Sequence, residues 1–135
     1  MELSNVLNLR AFVQKDVAMV GETSQRADGL YRKVAPGKWV KAEHETRHND
    51  AQAHAKAAYE RFHGGNSHQS RGYIKAGAES MRGLAPDHVV DRIHDHLRSA
   101  ESAKDMNQVA HHTHNALLEL NSAVANHKPK IVSGD

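Results

Sequence analysis

The residues His44, Glu45 and His48 form the H-E-x-x-H pattern that zinc metallopeptidases place on a helix. Residues four apart lie on the same side of a helix, so both imidazoles could reach one metal ion while the Glu45 carboxylate polarises a bound water. The pattern therefore defines a candidate metal site at His44 and His48. It also defines an alternative function, that of a zinc-dependent hydrolase.

A third protein ligand for such a site is missing from this segment. His54 has the spacing of the extended H-E-x-x-H-x-x-G-x-x-H pattern, but Ala51 stands where that pattern has its glycine. If the helix continues, His54 points about 100° away from His44 and His48 and lies roughly 9 Å further along the axis. We therefore interpret the two histidines as residues that flank or cap an alanine-lined helix interface, and expect no catalytic residues and no cofactor.

Histidine is unusually frequent, with 12 among 135 residues, so mild acidification can add many positive charges. His111 and His114 are three residues apart and share the side of the last predicted helix that is opposite its apolar stripe. Leu118 lies between their directions. These three residues are a candidate contact for a protein partner, with an adventitious metal site and plain solvent exposure as the alternatives.

The composition limits the kinds of partner. Lys and Arg number 18 against 16 Asp and Glu, a net charge of +2 that gives little support to the alternative of a nucleic-acid-binding accessory protein. The absence of cysteine excludes disulfides, thiolate metal sites and a cysteine nucleophile. No apolar stretch approaches the roughly 18 residues that span a bilayer, and no export signal is apparent. We expect a cytoplasmic protein without a membrane partner.

The elements that must position these residues are mostly helices. Good helix formers and apolar periodicity predict helices over about 42–62, 68–82, 87–100 and 103–126, the second weakened by Gly72 and Gly77. The predicted core places one set of apolar residues of the last helix against another set of the helix before it. These sets are Met106, Val109, Leu117, Leu120 and Val124, and Val90, Ile93 and Leu97.

The remaining segments are shorter. Residues 3–13 suit a short helix, residues 21–29 lack apolar periodicity and predict a loop, and Pro36-Gly37 between β-formers predicts a hairpin over about 29–41. The fold class is thus mainly α, a small helical bundle with an N-terminal β-hairpin. We expect a single helical domain over 1–127 and a flexible C-terminal tail over 128–135.

A hairpin of this size is marginal alone, so its aromatic residues should pack on the helices or on a partner. Tyr31, Trp39 and the basic Lys38 are the candidate partner contacts. The run Asp28-Gly29-Leu30-Tyr31 followed by Lys38-Trp39-Val40 resembles a short hairpin element of bacteriophage virion and accessory proteins, over about a dozen residues. The resemblance implies a virion component or a phage accessory protein, located in the host cytoplasm or in the virion.

Together these features favour a non-enzymatic protein-interaction or structural protein, which binds a protein partner or a second copy of itself. The alanine-lined helix faces and the small hairpin both need surfaces to pack against, whereas no complete catalytic set accompanies them.

Overall fold

The computed structural model describes residues 20–134, so the short helix predicted over residues 3–13 lies outside it. In chain order, the described elements are β1 (Thr23–Arg26), β2 (Gly29–Ala35), β3 (Lys38–Lys41), α1 (Ala42–His63), α2 (Ser67–Ser80), α3 (Asp87–Ser102), α4 (Met106–Asn126) and β4 (Ile131–Ser133). The protein is mainly α, and its helices begin and end within a few residues of their predicted positions, which confirms the fold class.

The chain divides into two compact units. One holds the described residues up to Glu45 together with the segment from Pro129, and the other is Thr46–Lys128. The sequence predicts a single helical domain over 1–127, whereas the structure separates a small sheet unit from a helical unit. Apolar periodicity does not show this division, because it reports the apolar side of each element and not which elements share a core.

The sheet unit is a four-stranded antiparallel sheet with the strand order β1-β2-β3-β4. The predicted hairpin is confirmed as β2 and β3, which turn at Pro36 and Gly37, where Gly37 has a φ of 70° that suits glycine. Two other predictions are wrong. The segment 21–29 contains β1, and the predicted tail over 128–135 contains β4, which pairs Val132 with Trp39.

Both missed strands lie at the edges of the sheet. β1 reads Thr-Ser-Gln-Arg and β4 is three residues long, and neither has a buried residue. An edge strand of this kind is held by backbone pairing with its neighbour and needs no alternation of apolar side chains. The sequence pattern that normally predicts a strand is therefore absent from both segments.

The helical unit has one apolar core to which all four helices contribute. Val90, Ile93 and Leu97 of α3 lie in the same cluster as Leu117, Leu120 and Val124 of α4, as predicted. The cluster also contains alanine residues of α1, Ile74 and Ala78 of α2, and Met81 and Ala85 from the segment between α2 and α3.

Two residues of the predicted core are placed differently. Met106 is 77% exposed and Val109 is only partly buried. Helix α4 begins at Met106, with Asp105 as its N-cap accepting a 2.7 Å hydrogen bond from the backbone N–H of Asn107. The helix thus starts about three residues later than predicted, and Met106 lies at its open end beyond the core.

Gly77 of α2 lies where this helix closely approaches α1 and α4. A Cβ atom at this position would lie 2.8 Å from Leu120 Cδ2 of α4 and 3.3 Å from His54 Cβ of α1. Gly72, one and a half turns earlier, has nothing within 4 Å of such an atom. Although both glycines weaken the intrinsic helix propensity of α2, Gly77 permits a helix contact that any larger residue would disturb.

Candidate functional site

Glu45 lies in the first turn of α1 and is bound by Arg32 of β2. The guanidinium donates two hydrogen bonds, from Nε to Oε1 at 2.6 Å and from Nη2 to Oε2. The hydrogen bond from Arg32 holds the pKa of Glu45 below its usual range, and the same bond raises the pKa of Arg32. A carboxylate with both oxygens occupied and a reduced affinity for protons is poorly suited to act as a general base.

His48, the second histidine of the H-E-x-x-H segment, is buried in the helical unit at 6% exposure. Its Nε2 lies 2.9 Å from the carbonyl oxygen of Val124. A carbonyl only accepts hydrogen bonds, so Nε2 carries the proton and donates. Val124 is among the last four residues of α4, whose carbonyls lack a partner within the helix. His48 therefore caps the C-terminus of α4.

A metal centre is not favoured by this arrangement. Within residues 20–134, no three His, Asp or Glu side chains come together where they could hold a metal ion. His44 is partly exposed one turn before His48, and the His54 ring lies beside Tyr73 with the ring centroids 6.3 Å apart. The role of His48 agrees with the interpretation that these histidines flank or cap a helix interface.

The predicted contacts on the hairpin differ sharply in exposure. Lys38 is exposed, but Tyr31 and Trp39 are buried, at 8% and 5% exposure. The Arg26 guanidinium lies 4.8 Å from the centroid of the Tyr31 ring and 5.1 Å from that of Trp39. Both rings are thus packed parts of the sheet unit, stabilised by cation–π contacts from Arg26 of β1. The sequence could not show this, because β1 itself was not predicted.

A hydrogen bond also fixes the Tyr31 ring. Its hydroxyl donates to Oδ2 of Asp28 at 2.7 Å. This bond lowers the pKa of the Asp28 carboxyl and raises the pKa of the Tyr31 hydroxyl. The Asp28-Gly29 turn and the aromatic side of β2 are therefore held together by side chains as well as by backbone pairing.

The predicted contacts on α4 are accessible. His111 and His114 are exposed, and Leu118 is 52% exposed on the side of the helix away from the core residues Leu117 and Leu120. The His114 ring stacks on Phe62 of α1, with centroids 5.5 Å apart and an interplanar angle of 22°. The contact surface predicted on α4 thus extends onto α1.

The contribution of α1 to this surface was not predicted from the sequence. Tyr59 is 53% exposed, and its ring lies 4.2 Å from that of His63, which in turn meets Phe62 edge-on at 5.4 Å. We call the following residues the aromatic patch: Tyr59, Phe62, His63, His114 and Leu118. The spacing of Tyr59, Phe62 and His63 at the end of α1 was the available signal, but only the position of α4 shows that these rings join His114.

A groove lies between α1 and α4, beside Tyr59. It has a volume of about 500 Å³. We call it the α1–α4 groove; it is lined by Gln52, Ala55, Lys56, Tyr59, Asn121, Val124, Ala125 and Lys128. The alanines on the predicted stripe of α1 indicated close helix packing, but an open groove between the two helices could not be inferred from them.

His94 links two helices. His94 Nε2 of α3 donates to Oε2 of Glu79 on α2 at 2.6 Å, and Arg82 donates to the same carboxylate. These bonds, that of His94 first, lower the pKa of Glu79. Arg82 also reaches Asp91 of α3 at 3.1 Å. This cluster is an ion network that ties the end of α2 to α3.

Comparison with known proteins gives no relative. No family model, curated protein or solved structure was found to match the chain. Among the helices of residues 20–134, none combines the length and the apolar character that a bilayer-spanning segment needs. The function must therefore be inferred from the chemistry and exposure of the residues themselves.

Proposed function

We propose that this chain is a non-enzymatic protein-interaction protein and that the aromatic patch is its contact surface. The observation that carries the proposal is the stacking of His114 of α4 on Phe62 of α1. Each helix adds an exposed apolar residue one turn away in sequence: Tyr59 on α1 is 53% exposed, and Leu118 on α4 is 52% exposed. A single exposed apolar residue needs no explanation. A group of rings on two adjacent helices, with a half-exposed tyrosine and leucine, has the composition of an interface centre.

The engagement of the H-E-x-x-H side chains supports the non-enzymatic part of the proposal. Arg32 donates hydrogen bonds to both carboxylate oxygens of Glu45, and His48 Nε2 donates a hydrogen bond to the carbonyl oxygen of Val124. Both side chains have structural roles that account for their presence. Metal analysis of protein prepared without a histidine tag tests this point, and stoichiometric zinc would contradict it.

We further propose that the protein is a virion component or an accessory protein of a bacteriophage. The support for this part is the resemblance of the hairpin over residues 28–41, now seen as β2 and β3 with the turn between them. The partner is then a protein of the virion or of the host.

The test compares capture of partner proteins by surface variants. Leu118→Glu puts a charge in the aromatic patch, and Met106→Glu is the matched control, because Met106 is an even more exposed apolar residue of the same helix. We expect the wild type and Met106→Glu to capture the same proteins from the native source, and Leu118→Glu to lose them. Both variants should keep the wild-type melting temperature, since exposed substitutions change stability little.

Equal capture by all three proteins would place the contact elsewhere and reject the aromatic patch. If the wild type captures nothing and stays a monomer in light scattering across a wide range of concentration, the interaction proposal itself is wrong.

A further inference from the structure

The α1–α4 groove has the dimensions of a helix-binding site. Its α1 side runs from Gln52 to Tyr59, which is two helical turns or about 10 Å. Its other side runs from Asn121 to Ala125 of α4 and continues past the end of that helix to Lys128. Ala55, Val124 and Ala125 contribute small apolar side chains between these limits. Small residues allow a third helix to approach two packed helices closely, and the half-exposed Tyr59 ring can serve as its anchor.

The charges on the groove have one sign. Lys56 and Lys128 are the charged residues among those that line it; Lys56 is on α1 and Lys128 lies two residues after the end of α4. Within the described part of the chain, neither lysine takes part in an ion pair. Gln52 and Asn121 add neutral hydrogen-bonding groups. The groove therefore combines an apolar floor with cationic edges.

We infer that the α1–α4 groove binds an acidic amphipathic helix of a partner protein, an inference that rests on the proposed interaction function and names the partner's chemistry. About two turns of the bound helix contact the groove, with apolar residues at positions i, i+3 or i+4, and i+7 on the floor. Carboxylates beside this apolar stripe face Lys56 and Lys128. Opposite charges at the edges set the orientation and speed association, while the half-exposed Tyr59 ring supplies the main apolar contact.

A second copy of this chain fits the groove less well. Its own helix with an acidic stripe is α3, in which three carboxylates are already paired: Asp87 and Asp91 with Arg82, and Asp95 with Arg98. Docking α3 of another copy would require these ion pairs to break or would bring Arg82 and Arg98 towards the lysines. The charge pattern thus favours a separate acidic partner.

The experiment selects helical peptides of about 15 residues, long enough to form a helix in isolation, from a displayed library with randomised surface positions. Wild-type protein is the bait. The Lys56→Gln/Lys128→Gln variant is used for counter-selection, and Lys75→Gln/Lys104→Gln is the matched control, because both of these lysines are exposed outside the groove. Melting temperatures establish that all proteins are folded.

We expect the selected peptides to carry Asp or Glu beside an apolar stripe. Their affinity, measured by fluorescence anisotropy, should fall about tenfold with Lys56→Gln/Lys128→Gln, since two exposed ion pairs are lost. It should be unchanged in the control and should fall at least as much with Tyr59→Ala. Selection of neutral or basic peptides, equal binding to the groove variant, or no binder at all would overturn the inference.

The same variants separate this inference from the proposed function. In one outcome, Leu118→Glu abolishes capture of native proteins while Lys56→Gln/Lys128→Gln leaves it intact. The aromatic patch is then the contact surface, and the inference that the groove binds an acidic helix is rejected. If the wild type dimerises in sedimentation experiments and the lysine variant does not, the groove binds a second copy and the inference of a separate acidic partner is again rejected.

Discussion

Replacing Gly77 with alanine should fail to stabilise the protein, although alanine is the better helix former. Gly77 is buried in α2 between α1 and α4, and its added Cβ would lie 2.8 Å from Leu120 Cδ2 and 3.3 Å from both Leu120 Cδ1 and His54 Cβ. Leu120 is fully buried and has little room to move. The methyl group can be accommodated only if the helices separate or if Leu120 leaves its preferred rotamer.

The magnitude follows from two opposing effects. An alanine in place of glycine in a helix contributes about 1 kcal/mol of stability through propensity. Overpacking a well-packed core costs about 1–3 kcal/mol. Gly72→Ala isolates the first effect, because Gly72 lies in the same helix and an added methyl group there would have nothing within 4 Å. The two substitutions should therefore differ by about 1–3 kcal/mol, the cost of the close contact alone.

Urea denaturation followed by circular dichroism measures this difference. We expect Gly72→Ala to raise the free energy of unfolding by up to about 1 kcal/mol, and Gly77→Ala to leave it unchanged or lower it by as much as about 2 kcal/mol. In a Leu120→Ala background the clash is relieved, so the added cost of Gly77→Ala should shrink by about 1–2 kcal/mol.

Equal stabilisation by Gly72→Ala and Gly77→Ala would refute the reasoning, since it would mean that the helices are not in close contact at Gly77. Additive effects of Gly77→Ala and Leu120→Ala would show instead that the cost comes from a neighbour other than Leu120, such as His54.

Leu120→Ala alone should lower the free energy of unfolding by about 2–5 kcal/mol, because it opens a cavity at a fully buried position; a loss under about 0.5 kcal/mol in urea denaturation would place Leu120 outside the core. His48→Ala should cost about 1–3 kcal/mol by leaving a helix-terminal carbonyl without its donor, while the exposed His68→Ala should cost less than about 0.5 kcal/mol; similar losses would remove the capping role. Glu45→Gln should reduce acid sensitivity: Arg32 lowers the pKa of Glu45, so the stabilisation by this pair is complete above the ordinary value of 4.5 and is lost as pH falls through the lowered pKa. The melting temperature of the wild type should thus exceed that of Glu45→Gln at neutral pH, and the difference should shrink towards about pH 3; a constant difference would contradict the ion-pair explanation.

The helices and much of their core could be predicted from the sequence. Ile93 and Leu97 of α3, and Leu117 and Leu120 of α4, recur at helical spacing, so each helix has one apolar side that must be buried. Since the link between these helices is short, their apolar sides face each other. These conclusions need only local information. Met106 was wrongly predicted to be buried because α4 begins at this residue, about three residues later than predicted.

Backbone pairing between remote segments was not predictable in the same way. β4 pairs Val132 with Trp39 across most of the chain length, and β1 consists of polar residues at the sheet edge. The edge strands are stabilised by hydrogen bonds of the main chain, which every residue can form, so their side chains carry little signal. Arg26, which packs on two aromatic rings, was consequently missed with β1.

For the candidate site, the sequence determined the chemistry of the side chains, and the tertiary structure decided their neighbours. Histidines at positions 44 and 48, and His114 with Leu118 on the polar side of the last helix, were evident from spacing alone. That His48 caps a carbonyl 76 residues away and that His114 stacks on Phe62 follow only from the packing of α1 against α4. Periodicity shows which side of a helix is apolar, but long-range contacts decide whether a side chain is buried, bonded or free to bind a partner.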